Sequence, residues 1–327
     1  MLWIVVGTLS GACFALNGVL ARRGMRHRAS DNGLFMTILV NVVLLGLAVA
    51  WSGWQGLLPP WSWTGLAAFL AAGVVGTAGG RGAMLMAVRL VGPARVSAFQ
   101  ISAPVFTLFA GWALLGERLH TVHALGSLLV LLGLAVLVSA RVTAEPLVAA
   151  AAGGSDEAAA TAAGSAPAPS TSKLRLAAPT LRLKGYGYAV TAATGFGLAF
   201  VARKAGLLHY PSAAAGAFWG SVSSLLTVVG YSGVRGRLRQ LVHDNLRQVP
   251  WWFVGAGAAT GLALLLQFTA LGRLPAWTAA VLHGTQALWV LGWSRLLLGR
   301  EEKLGRHVIA SVLLVFAGVV VLALGSR

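Results

Sequence analysis

The feature that most constrains the fold is a long apolar pattern that the chain carries twice. In the first copy, an apolar run leads from Pro93 to Gly116, and a second apolar run follows it. The second copy repeats this order from Pro275 to Gly299, with one residue inserted, before its own second run. A repeat of this length predicts two structural units that share one fold.

The similarity extends upstream, so each half of the chain carries five apolar segments in the same order. The sequence ARRG at residues 21–24 is echoed by ARKAG at residues 202–206, and AV at 87–88 is matched by AL at 270–271. The pattern therefore predicts the tandem duplication of a five-segment unit.

The composition places these segments in a membrane. Hydrophobic residues make up 57% of the 327 residues and charged residues only 10%, and the mean hydropathy is +0.78. Between Asn32 and Gly80 there is no charged residue, and a bilayer core about 30 Å thick needs roughly 20 apolar residues per helix. Because the apolar runs are continuous and much longer than barrel strands, they predict helices.

The apolar runs predict ten transmembrane helices and a connector between two units. The units are residues 1–141 and 185–327, and residues 142–184 form a connector rich in Ala, Ser, Thr, Gly and Pro. Such a composition cannot bury enough surface to offset the entropy of ordering, so the connector should be flexible. The predicted helices are residues 2–21, 33–51, 64–88, 96–115, 124–140, 185–202, 212–231, 251–271, 277–294 and 308–324.

The distribution of basic residues predicts the orientation. The loops after the odd-numbered spans hold 19 Lys and Arg residues, against five on the opposite side. This places the connector in the cytoplasm and both termini outside. Because five is odd, the second unit enters the membrane from the opposite side, so the fold class is an all-α membrane protein with two inverted five-helix repeats. Secondary transporters use this arrangement to build a substrate site at the midplane.

The charges also exclude some kinds of function. The net charge is +17, but the basic residues end apolar runs and do not line a soluble face, so we expect no nucleic-acid partner. All eight acidic residues lie at span ends or in loops, which argues against a carboxylate site for Na⁺ or H⁺ inside the membrane. Cys13 is the only cysteine and cannot form an intrachain disulfide. We expect neither a metal ion nor a cofactor.

Arg81 is the basic residue predicted to lie deepest in a span, among four glycines in the sequence GTAGGRGAML. A charge inside a bilayer is costly and is usually retained for a pathway or a pair. Arg81 is a candidate to bind the carboxylate or phosphate of an anionic or zwitterionic solute. The alternative is that its side chain extends to the cytoplasmic headgroups.

His283 is the only histidine inside a predicted span. With Gln286 and Trp289 it forms a stripe at helical spacing. An imidazole titrates near neutral pH and could carry a coupling proton; a structural hydrogen bond between helices is the alternative.

Uncharged polar residues complete the predicted cavity, and each could serve either substrate contact or helix-to-helix hydrogen bonding. Pro104 should kink its helix and free a carbonyl group. The predicted substrate-binding residues are Asn17, Arg81, Gln100, Ser102, Gln267, His283, Gln286 and Trp289.

The sequence resembles a known transporter family. The run AVRLVGPARVSAFQISAPVFTLFAGWALLGERL at residues 87–119, followed by LGSLLVLLGLAVLVS, resembles the end of an EamA-type domain of the drug/metabolite transporter superfamily. The Leu-Gly-Glu-Arg ending at residues 115–118 is the most specific part, and the second copy, LLLGREEKL, is degraded. The resemblance covers both halves and implies an inner-membrane transporter of small organic solutes. It also implies a central cavity lined by the inner helices of both halves.

Two departures from the family pattern carry expectations of their own. The family often has a Glu-Pro step in the fourth helix, where this chain has Ala103-Pro104. This difference argues against proton coupling through an acid. The basic loop follows the first helix instead of the second, which implies an orientation opposite to the usual one.

These observations favour a secondary transporter that works by alternating access and is not an enzyme. The alternative is a membrane enzyme or a flippase acting on a lipid-linked substrate. An enzyme would need clustered acid, base or metal-binding groups near an interface, and the candidates are Glu117, Arg118, His120 and His123. The expected partners are a small-molecule solute and the lipid bilayer, and the choice between monomer and homodimer stays open.

Overall fold

The computed structural model describes residues 1–25, 34–91, 96, 99–117, 121–122, 124–136, 179–247, 251–298 and 306–325. Within these ranges every regular element is helical, as predicted for the fold class. The first half contains α1 (Leu2–Met25), α2 (Leu34–Trp54), α3 (Trp63–Val74), a π-helical segment (Val75–Gly82), α4 (Ala83–Val91), α5 (Ala103–Leu115) and α6 (Ala124–Val136).

The second half contains α7 (Pro179–His209), α8 (Ala213–Val234), α9 (Leu238–Arg247), α10 (Trp251–Arg273), α11 (Ala276–Gly284), α12 (Gln286–Leu298) and α13 (Arg306–Gly325). Across both halves, five described segments are long and apolar enough to cross a membrane, and three shorter apolar helices accompany them. The ten spans stay a prediction. The five long segments are Leu2–Ala21, Leu34–Trp54, Trp63–Val88, Ala213–Val234 and Trp251–Arg273.

The two halves are interlocked, because the first helix of each lies against the third and fourth helical stretches of the other. Helix α1 contacts α10, α11 and α12, whereas α7 contacts α3, the π-helical segment, α4 and α5. Small residues permit the close approach: a Cβ atom on Gly195 would lie 2.7 Å from the backbone of Gly79 and Gly80. In the core, the rings of Phe69 and Phe268, one from each half, meet edge to face at 5.9 Å.

The fourth helical stretch of each half is interrupted at an equivalent hydroxyl residue. The Ser102 backbone N donates to the Phe99 carbonyl at 3.0 Å, and the Ser102 Oγ donates to the same oxygen at 2.6 Å. Thr285 does the same with the Leu282 carbonyl, at 3.1 and 2.6 Å. Ser102 and Thr285 are thus equivalent positions of the two repeats. The one extra residue of the second copy therefore lies between Pro275 and Thr285. In both halves one carbonyl at the interruption therefore accepts from both the backbone N–H and the hydroxyl of the residue three positions later, in a tighter turn than that of an α-helix.

These interruptions change two sequence predictions. Residues 277–294 were predicted as one helix, but α11 ends at Gly284 and α12 begins at Gln286. Pro104 lies in the first turn of α5, where its missing N–H costs nothing. The predicted distortion at Pro104 therefore takes the form of an interruption at Ile101–Ser102, just before the proline, where a proline within a helical run breaks or kinks the helix.

Helix α7 is longer at both ends than its predicted span of residues 185–202. It begins at Pro179, inside the predicted connector, and continues to His209. The side chains of Arg203 and Lys204 both find hydrogen-bond acceptors on α10 or just beyond its end. The side chains of Arg203 and Lys204 therefore point towards α10 within the bundle. Helix α7 ends shortly before Ser212, the N-cap residue of α8.

Candidate solute-binding site

Arg203 lies inside the bundle, six residues before the end of α7. Its Nη1 donates a hydrogen bond to the Oε1 of Gln267 at 2.8 Å. The guanidinium also lies near the rings of Phe200 and Phe268, with centroid distances of 5.4 and 5.8 Å. Aromatic rings attract a cation at these distances, so amide and rings together fix the position of the guanidinium.

Gln267 connects this arginine to His283. The Gln267 side chain is 2% exposed, and its Nε2 lies 3.1 Å from the Nδ1 of His283. Because Oε1 already accepts from Arg203, Nε2 is the donor and the imidazole Nδ1 is the acceptor. A neutral His283 then carries its proton on Nε2, the tautomer assigned by this hydrogen-bond network.

His283 occupies the last turn of α11, directly before the break at Thr285. Phe14 of α1 contacts its ring edge to face at 4.7 Å, and Phe200 of α7 does so at 5.6 Å. Side chains from α1, α7, α10 and α11 therefore meet around one histidine, and these helices come from both halves of the chain.

Arg81 belongs to the π-helical segment, which faces α7. Helices of this kind are rare and often occur at functional sites. A Cβ atom on Gly76, in the same segment, would lie 3.7 Å from the Nη2 of Arg203. Arg81 is half-buried and follows Gly76 by five residues in the same segment. Among the described residues, no group is hydrogen-bonded to the Arg81 guanidinium.

The other predicted site residues have different surroundings. Asn17 donates from Nδ2 to the Thr260 hydroxyl and so links α1 to α10. The Nε2 of Gln100 is buried and has no hydrogen-bond partner in the described part of the chain. Ser102 bonds within its own break, as described above. Gln286 begins α12 and is half-buried.

The structure joins Gln267 and His283 directly, but it divides the predicted stripe of His283, Gln286 and Trp289. The break at Thr285 separates His283 from the other two, so the three residues do not lie on one continuous helix. Trp289 is 39% exposed. The stripe was predicted for an unbroken helix, and the sequence gives no simple signal for the break.

Sequence reasoning missed Arg203, which it treated only as an orienting charge at a span end. After Lys204 the sequence AGLLHY continues to Pro211, and this mostly apolar stretch was the available signal that the helix does not end at Ala202.

Glu117 also has a role beyond an interfacial charge. Its Oε1 accepts a hydrogen bond from the backbone N of Ala276 at 2.8 Å, where α11 begins. Carboxylates are favourable at helix N-termini. This contact joins the two halves. The remaining members of the alternative enzyme cluster, Arg118, His120 and His123, lie outside the described residues.

Metal binding has no candidate in the part of the chain that the structure covers. There, no group of three or more His, Cys, Asp and Glu side chains is placed to hold a metal ion.

Comparisons with known proteins agree with this architecture. The model of the EamA-like transporter family matches residues 1–139 and 183–324, and no curated protein matches. A crystal structure of a protein with 18% sequence identity has a TM-score of 0.61 and covers 98% of this chain and 97% of its own. At that identity the likeness shows the fold alone. Because the family model covers most of both halves, the chain belongs to the EamA-like transporter family and is a multi-pass integral membrane protein.

Proposed function

We propose that this family member is a secondary transporter, which moves a small organic solute or metabolite across the inner membrane by alternating access. The observation that carries the proposal is the pair of interrupted helices at Ser102 and Thr285. Transporters with repeats commonly bind substrate where helices of both halves are interrupted. Here one break adjoins His283, whose hydrogen-bonded chain reaches Gln267 and Arg203.

Alternating access requires contacts between the halves that can be broken without unfolding either half. The Glu117–Ala276 hydrogen bond is of this kind, because it ties the end of α5 to the start of α11. Where α7 passes the π-helical segment, Gly195 lies against the backbone of Gly79 and Gly80, so glycine meets glycine at this crossing without an interlocking side chain between them. Sliding or rocking there would alternately expose a site near His283 to the two sides of the membrane.

The proposal can be tested with purified protein in liposomes. Uptake of amino acids, nucleosides, organic acids and sugar phosphates would be measured under imposed pH, sodium and solute gradients. We expect saturable uptake of at least one class, and we expect Gln267→Ala to reduce it at least tenfold. Gln267→Ala removes the group that holds both Arg203 and His283.

Thr269→Ala provides the matched control on the same helix. The Thr269 hydroxyl bonds only within α10, to the Leu265 carbonyl at 2.7 Å. Uptake should therefore persist in this variant. If no solute moved under any gradient, or if Gln267→Ala transported normally, the proposed site would be wrong.

A further inference from the structure

Arg81 and Arg203, one from each half, lie on helical segments that pack against each other, and no acidic side chain among the described residues is paired with either. A charge buried in a membrane is costly unless it is paired. Arg203 has neutral partners only, the Gln267 amide and two phenyl rings. Arg81 follows Gly76 by five residues in the segment that lies beside the Arg203 Nη2, and it has no hydrogen bond among the described residues. Within the ranges that the structure covers, the two guanidinium groups therefore have no counter-charge.

No carboxylate of the described chain is available to provide that charge. Of the eight acidic residues, only Glu117 and Asp244 fall within the described ranges. Glu117 is engaged with the start of α11, and Asp244 belongs to α9, the short polar helix that precedes α10. In the sequence, the other six acidic residues lie outside the apolar runs.

The surroundings suit a ligand that accepts hydrogen bonds. A guanidinium has five N–H donors, and Gln267 engages the Nη1 group of Arg203, which leaves donors for a second acceptor. Gly76 shows how near the π-helical segment comes to this group, since a Cβ atom there would lie 3.7 Å from the Arg203 Nη2. Glycines 79, 80 and 82 flank Arg81 in the chain and add no side chains of their own. Planar guanidinium groups bind carboxylates and phosphates through paired hydrogen bonds.

We infer that Arg81 and Arg203 together bind a dianionic organic solute, either a dicarboxylate or a phosphomonoester. Two positive charges are neutralised by two negative ones, and a phosphomonoester carries between about −1.5 and −2 at pH 7. Gln267 positions Arg203, and His283 positions Gln267. The inference rests on the proposed transport function, for which it names the substrate class.

Binding can be measured apart from transport. The protein would be placed in nanodiscs of zwitterionic lipid and titrated calorimetrically with succinate and with glycerol 3-phosphate, and with acetate and glycerol as ligands of lower charge. We expect at least one dianion to bind, and acetate and glycerol to bind at least tenfold more weakly. Arg81→Gln and Arg203→Gln should each weaken dianion binding about tenfold or more, because each removes a charge-assisted contact.

Arg273→Gln is the matched control. Arg273 ends α10 and lies over the ring of Trp3 at 5.4 Å, away from the proposed pair. This variant should bind the dianion like the wild type. Equal losses in all three variants would mean a general effect of net charge, and would overturn the inference.

Gln267→Glu tests the same idea without removing an arginine, in case those variants do not fold. The substitution preserves shape and places a carboxylate next to Arg203 within the chain. An internal counter-charge should raise the melting temperature of the ligand-free protein and weaken dianion binding at least tenfold. Unchanged or tighter binding would contradict the inference.

Further measurements distinguish a soluble anion from a lipid headgroup, and they also distinguish failure of the proposed site from failure of the proposed transport function. Anionic phospholipid added to the nanodiscs should leave succinate or glycerol 3-phosphate affinity within threefold; strong competition would assign the site to a lipid headgroup and overturn the inference. Dianion binding that depends on both arginines, without any transport, would support the site and contradict the proposed transport function. Uptake of a neutral or cationic solute that persists in Arg81→Gln and Arg203→Gln would support the transport function and contradict the proposed dianion site.

Discussion

Single side chains at one end of the bundle satisfy helix termini of the second half, and one of them, Glu117, also joins the two halves. Glu117 accepts from the first N–H group of α11. Close by, the Lys204 Nζ donates to the carbonyls of Leu271 and Leu274, at 2.8 and 2.9 Å, where α10 ends. A carboxylate at a helix start and an ammonium at a helix end both match the helix dipole, so each charge stabilises a helix of the second half.

The charge on Glu117 should nevertheless be a net cost near neutral pH. Burial raises the pKa of this carboxyl, against the opposing effects of the Ala276 N–H group and Lys204. The folded protein then holds the proton more tightly than the unfolded chain does, so the free energy of unfolding falls as the pH rises through that range. Glu117→Gln keeps an accepting oxygen and removes the charge. We expect it to melt at or above the wild-type temperature at pH 8, with a smaller advantage at pH 5.

Glu117→Ala is the comparison, because it removes the acceptor as well. Loss of a capping group costs about 1 kcal/mol, so this variant should melt lower at both pH values. Thermal unfolding in detergent, followed by intrinsic tryptophan fluorescence, measures all three proteins. Equal destabilisation by Gln and Ala at pH 8 would show that the charge itself is required.

A site residue could be predicted from the sequence when its local hydropathy pattern marks it, and could not when only a distant partner places it inside the bundle. Gln267 and His283 could be selected because polar residues within apolar runs are rare. Arg203 could not be selected by that rule, since it appears at the end of an apolar run and becomes internal only because α10 supplies acceptors from more than 60 residues away. A sequence pattern records local hydropathy, whereas the partner that keeps a charge inside the bundle is set by packing.

At the scale of elements, glycine sets how closely helices approach. Helix α7 crosses the π-helical segment with Gly195 against the backbone of Gly79 and Gly80. The existence of most helices followed from continuous apolar runs, but their interruptions did not. A π-helical turn and a break at a hydroxyl residue leave the run of apolar residues almost unchanged, so hydropathy cannot reveal them.

Because of the close crossing, we expect glycine-to-alanine substitutions at different positions of α7 to change the free energy of unfolding by different amounts. Gly195→Ala would place a Cβ atom 2.7 Å from backbone atoms that cannot rotate away. We expect a loss of about 1 to 3 kcal/mol in the free energy of unfolding, the usual cost of overpacking. Gly187→Ala, on the same helix, meets nothing within 4 Å and should be neutral or slightly stabilising. Comparable melting temperatures for the two variants would contradict the observed crossing.

At the scale of the whole molecule, inverted topology has a direct consequence for labelling. The sequence predicts that the loop between α2 and α3 and the connector at residues 142–184 lie on opposite sides of the membrane. In a Cys13→Ala background, Gln55→Cys and Ser170→Cys should react with an impermeant maleimide from opposite faces. Ser170→Cys should react from the cytoplasmic face.

Labelling in right-side-out and inside-out vesicles measures this, and detergent-solubilised protein provides the control for reactivity. Reaction of both variants from one face would rule out an odd number of spans between them. The duplication was readable from the sequence because equivalent motifs recur in order. The exchange of first helices between the halves was not, because the order of segments along a chain does not determine which of them become neighbours.

The packing of α1 against the second half also limits when its contacts can form during synthesis. Ser10 and Asn17 of α1 bond to Ala263 and Thr260, residues that follow them by 253 and 243 positions. During synthesis, which runs from the N-terminus, α1 leaves the ribosome long before α10 exists. The polar side chains of α1 therefore lack these hydrogen-bond partners during most of synthesis. Until the last third of the chain has been made, the insertion machinery or other helices must shield them from lipid.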